Sequence, residues 1–77
     1  MNLYQIHAIV VPAPVKGWNS SGRQIPTFWL GSVDADAAAK TAARVLRSAN
    51  PSAERIDVTA YRDHDGTEEW GTTLDEN

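Results

Sequence analysis

The sequence predicts an α+β fold: a small two-layer ββαβ(β) domain, with one helix packed on one face of a sheet of three to four mostly antiparallel strands. Three observations carry that prediction. Stretches near the N-terminus and after residue 54 alternate apolar and polar residues at a period of two. Between them lies an alanine-rich stretch whose apolar residues recur every three to four positions. Asn50-Pro51 and Asp65-Gly66 stand where a helix must stop and where a hairpin turns.

The first strand is expected over Leu3 to Val11, with Tyr4, Ile6, Ala8 and Val10 on one face and Leu3, Gln5, His7, Ile9 and Val11 on the other. Both faces carry apolar residues, which places this strand inside the sheet. Pro12 to Gln24 is rich in Pro, Gly and Ser and reads as a long loop. The second strand is expected over Thr27 to Ser32, because Pro26 cannot donate to a ladder and belongs at a strand start or on an edge. It sets Phe28 and Leu30 against Thr27, Trp29 and Gly31. Asp34 is the expected N-cap of the helix, and Asp36 lies favourably near its positive end. The apolar stripe is Ala35, Ala38, Ala39, Ala42, Val45, Leu46 and Ala49, and Asn50-Pro51 ends it. A stripe made mostly of alanine lets a helix approach a sheet closely but leaves the bulk of the core to the strands. The third strand, Arg55 to Arg62, turns Ile56, Val58 and Ala60 inward and Arg55, Asp57, Thr59 and Tyr61 outward. After the Asp65-Gly66 turn, Thr67 to Leu74 repeats Trp70, Thr72 and Leu74 at period two, the pattern of a returning edge strand.

Residues 1–77 are short enough to be a single domain. The net charge of -3 conceals an asymmetry: residues 1–62 sum to +3 and form a basic core, whereas residues 63–77, the acidic hairpin and C-terminal segment, carry six carboxylates and no Lys or Arg. Such a split suits a binding protein better than a catalyst. The chain has no Cys, which removes disulfides, thiolate nucleophiles, cysteine-type zinc sites and iron–sulfur clusters. A chain of this size without staples buries a modest core, so a homodimer is one expected form. The longest apolar run, Ala8 to Val15, is interrupted by Pro12 and Pro14 and is far shorter than the ~20 residues of a membrane-spanning helix. A cytoplasmic protein with no membrane association is expected.

Most chemical motifs fail on inspection. Gly17 to Gln24 has the glycine spacing of a phosphate loop, but Arg23 and Gln24 stand where Lys and Ser or Thr are required, and Ile25-Pro26 follows in place of a helix. Placing Gly66 at the sixth position of a calcium loop puts Tyr61 first and Thr72 twelfth, so the carboxylates that open and close such a loop are missing. His7 has no acidic residue before position 34 to orient it, and no serine sits in a nucleophile elbow. The expectation is therefore no enzyme activity, no cofactor, no metal and no catalytic residue.

One helix covers one sheet face, leaving Ile9, Val11, Trp29 and Tyr61 on the other, a half-apolar aromatic surface suited to a protein partner. Trp70, Asp65, Glu68 and Glu69 add an acidic hairpin that would face a basic groove. These eight residues are the candidate protein-interaction site. The alternative is nucleic-acid binding through Lys16, Trp18 and Arg23 in the loop and Lys40, Arg44 and Arg47 on the helix, where cations and an aromatic would grip phosphate and stack on a base. The pI near 5.1 argues against it.

The stretch from Phe28 to Leu46, Phe-Trp-Leu-Gly-Ser followed by the alanine helix, resembles a strand-into-alanine-helix unit of small uncharacterised accessory proteins of actinobacteria and their phages. The resemblance is one of layout and covers about a quarter of the chain. It implies an accessory or inhibitor protein that acts by binding a host or defence protein. The unit also resembles small antitoxin-type domains, which have an extra strand before the helix that this sequence lacks.

Overall fold

The computed structural model describes residues 1–14 and 22–76. Strand β1 (Asn2–Val11) pairs antiparallel with β2 (Arg23–Ser32), helix α1 (Ala35–Ala49) follows, and β3 (Arg55–His64) and β4 (Thr67–Glu76) form a second antiparallel hairpin. β3 also pairs antiparallel with β1, giving one open sheet in the order β2-β1-β3-β4 with the helix on one face. This is the expected α+β layout, and the fourth strand is present. Lys16 and Trp18 lie outside the described residues.

The strands are longer than their apolar patterns. β2 begins at Arg23 and runs through Pro26, where its register against β1 shifts between Ile6 and Ala8. β2 is an edge strand, so Pro26 costs no ladder bond on its open side, and the irregularity absorbs the residue that the two-residue alternation has no place for. β3 and β4 extend to His64 and Glu76 because Asp65 (φ 52) and Gly66 (φ 78) both adopt the left-handed conformation of a type I′ turn, whose twist suits two long paired strands.

The core forms where the apolar faces meet. Tyr4, Ile6 and Ile56 are its largest fully buried side chains, packed with Ala8, Val10, Val58 and Ala60 beneath the helix. The helix buries Ala35, Ala38, Ala39, Ala42, Ala43 and Leu46, whereas Val45 and Ala49 face solvent. This corrects the expected stripe. The helix lies mainly over β3 and β4, which turns the Ala43 side inward and leaves Ile25, Phe28 and Leu30 of β2 only partly covered. Gly71 permits this placement: a Cβ there would overlap the backbone of Ala35 and Asp36.

Polar groups fix the two helix ends. Asp34 Oδ1 accepts from the Ala37 amide at 2.7 Å, as expected of an N-cap. Glu69 reaches across from β4, accepting from the Tyr4 hydroxyl at 3.0 Å and from the Ala35 amide at 3.0 Å. At the other end, Asn50 Nδ2 donates to the Leu46 carbonyl at 2.9 Å, and the Arg47 guanidinium donates to the Ala53 carbonyl and pairs with Asp75 at 3.3 Å. Among the described residues, no helix is long and apolar enough to cross a membrane.

Candidate functional site

The side of the sheet away from the helix carries a continuous row of large side chains. Register aligns Trp29 with Gln5, Gln5 with Tyr61, and Tyr61 with Trp70, so three aromatics and one amide cross all four strands at the same level. Neighbouring strands lie about 4.8 Å apart, which makes the row about 14 Å long. Tyr61 and Trp70 stack at a centroid distance of 4.4 Å with planes tilted by 45°, a geometry in which ring edge approaches ring face. Trp70 Nε1 donates to Glu68 Oε2 at 3.2 Å, holding the carboxylate beside the ring. Trp29 and Trp70 remain 59% and 58% exposed, values that mark them as surface groups despite their size. A depression of about 410 Å³ lies between Trp29 and Tyr61, floored by Leu3 and Gln5 and bounded by Met1, Arg62 and Asp63.

The rest of the open face divides by rows. His7, Thr59 and Thr72 form a polar row next to the aromatic one. Beyond it, Ile9, Asp57 and Leu74 align, and Val11, Arg55 and Glu76 close the far end, with Arg55 paired to Asp57 at 3.3 Å. The interaction residues expected from sequence therefore split into two groups. Trp29, Tyr61, Trp70 and Glu68 gather at one end, Ile9 and Val11 lie at the other, and Asp65 stands at the tip of the β3–β4 turn beside His64.

Glu69 does not belong to this face. It projects on the helix side of β4, where its two oxygens are occupied by Tyr4 and Ala35. The signal was present in the alternation itself: if Trp70, Thr72 and Leu74 face away from the helix, Glu69, Gly71 and Thr73 must face towards it. Leu3 and Leu74, both 56% exposed, fall on the open face as their alternation implies but are absent from the expected interaction residues, as is Arg62 at the rim of the depression.

The electrostatics of the aromatic end are negative. Desolvation among its neighbours raises the Tyr61 phenol above its ordinary 10.0, and the carboxylates of Glu68 and then Asp63 push it in the same direction. Both effects favour the neutral phenol over the phenolate.

The alternative, cationic residues are dispersed. Arg23 lines a cleft of about 290 Å³ at the helix C-terminus with Val10, Asn50 and Ala53. Lys40 and Arg44 border a groove whose other wall includes Asp75 and Glu76, and Arg47 is engaged by Asp75. Among the described residues, no three His, Asp or Glu side chains converge as a metal site would require. No family model, curated protein or solved structure matches the chain.

Proposed function

We propose that this chain is a small non-enzymatic protein-interaction module that docks a partner protein on its open sheet face, centred on Trp29, Tyr61 and Trp70. The observation that carries the reading is the aligned aromatic row, exposed on the face of the sheet opposite the one that packs against the helix. Solvent exposure of two Trp side chains at one level of one face leaves apolar area unburied that a partner can cover, and tryptophan and tyrosine are the residues on which interface energy concentrates. Both edges of the sheet are less inviting. β2 carries Pro26 and an irregular register, and β4 carries Glu68, Glu69, Asp75 and Glu76 along its length, devices that discourage strand addition.

The nucleic-acid alternative draws less support, because the helix cations face acidic neighbours on β4 and Arg47 is held in an ion pair. Selection of displayed random peptides against the folded protein tests the proposal. Recovered peptides should bind the wild type and lose most of their affinity for Trp29→Ala and Trp70→Ala. Peptides indifferent to both substitutions would contradict it.

A further inference from the structure

Resting on that reading of the open face, we infer that the partner segment is basic and that it places an arginine or lysine side chain over the Tyr61–Trp70 pair, between the carboxylates of Glu68 and Asp63. Asp63 and Glu68 face each other on neighbouring strands in the row next to Tyr61 and Trp70, whereas Asp57, paired with Arg55, and Glu76 lie two and three rows away on the same face. The Trp70 end of the aromatic row therefore combines ring faces with two adjacent carboxylates. A cation above a tryptophan face gains from the ring quadrupole, and a nearby carboxylate adds to that attraction. The Tyr61 phenol is raised first by desolvation and then by Glu68 and Asp63, the same two carboxylates.

The row is not uniform, and its asymmetry places the cation. Arg62 lines the depression between Trp29 and Tyr61, so a second cation there would meet a like charge. That depression, floored by Leu3, suits an apolar side chain of the same segment, leaving the charged group to the Trp70 end. A second copy of this chain is a poor occupant. In a twofold interface centred on the Tyr61–Trp70 pair, Asp63 and Glu68 of one copy would lie close to the same carboxylates of the other.

The test is a titration of the isotopically labelled full chain with a nine-residue arginine peptide, followed by NMR at the tryptophan indole N–H signals. The Trp70 signal should move saturably, the oligoglutamate peptide of equal length should leave it in place, and raising salt from about 50 to about 500 mM should weaken binding. Glu68→Gln should weaken the arginine peptide about threefold to tenfold, and Glu54→Gln, which removes the same charge on an exposed site elsewhere, should not. Equal loss in both variants, response to oligoglutamate, or binding of oligothymidylate at the same signals would overturn the assignment. If the arginine peptide fails while selected peptides still require Trp29 and Trp70, the basic partner is wrong and the docking face stands. If neither depends on those residues, both proposals fall.

Discussion

Two side chains show how a single residue can serve either the fold or the surface. Glu69 joins three elements: it accepts from Tyr4 on β1 and from the first amide of the helix while sitting on β4. A carboxylate at a helix N-terminus is favoured by the dipole as well as by its hydrogen bonds. Glu69→Ala should lower stability by about 1–3 kcal/mol and Tyr4→Phe by about 1 kcal/mol in urea denaturation. The double variant should lose less than the two costs added together, because both remove the same hydrogen bond. Tyr61 belongs to the surface, and its behaviour is alkaline. A phenol whose pKa is raised in the folded state holds its proton more tightly there than in the unfolded chain, so stability is unaffected below pH 10.0 and declines as pH rises through the raised value. Absorbance titration of the phenolate should give a midpoint above that of free tyrosine, and Glu68→Gln should bring it down. A midpoint at or below the ordinary value would exclude the negative field. The face on which Trp29 and Tyr61 lie is legible from alternation alone, since a period of two fixes the face once one neighbour is known to be buried. The role of Glu69 was not, because its acidity suggested solvent, and a hydrogen bond between residues 65 positions apart leaves no local trace.

At the scale of elements, the fold is decided by a match of small groups. The alanine stripe on α1 and Gly71 on β4 let helix and strand backbones come together, and the strands supply Tyr4, Ile6 and Ile56 to fill the space that remains. Gly71→Ala should therefore cost about 1–3 kcal/mol, since the added methyl has only backbone to displace and overpacking must move the helix. Gly66→Ala places a side chain at φ 78 with nothing nearby, and should cost about 1 kcal/mol through backbone strain alone. Denaturation measures both costs and NMR distinguishes their origins, because repacking at Gly71 should disturb the helix contacts whereas Gly66→Ala should leave them intact. The helix ends at Asp34 and Asn50 and the hairpin at Asp65-Gly66 were legible because caps and turns are local chemistry. The start of β2 was not legible. Arg23 to Pro26 lacks a strand pattern, and its pairing comes from the neighbouring β1, whose ladder extends into residues that would not form a strand alone. The inward turn of Ala43 in place of Val45 likewise depends on where the helix rests on the sheet, which the helix sequence does not contain.

For the whole molecule, the charge asymmetry read from the sequence acquires a location. The acidic segment spans the end of β3, the turn and the edge strand β4, and the four carboxylates on β4 divide between two duties. Glu69 and Asp75 tie the helix ends down, while Glu68 and Glu76 belong to the open face. Two of the basic residues of the body pair with carboxylates, Arg47 with Asp75 and Arg55 with Asp57. Like charge on the exposed face opposes self-association, so light scattering during size-exclusion chromatography should return a mass near 8.4 kDa at high protein concentration. A dimer abolished by Trp29→Ala would contradict this. Docking of a partner on the sheet face bearing Trp29, Tyr61 and Trp70 is decided by mapping the NMR footprint of a selected peptide. Shifts are expected only along the row from Trp29 through Gln5 and Tyr61 to Trp70 and its neighbours. A footprint on the helix around Lys40 and Arg44, with that row unmoved, would contradict it.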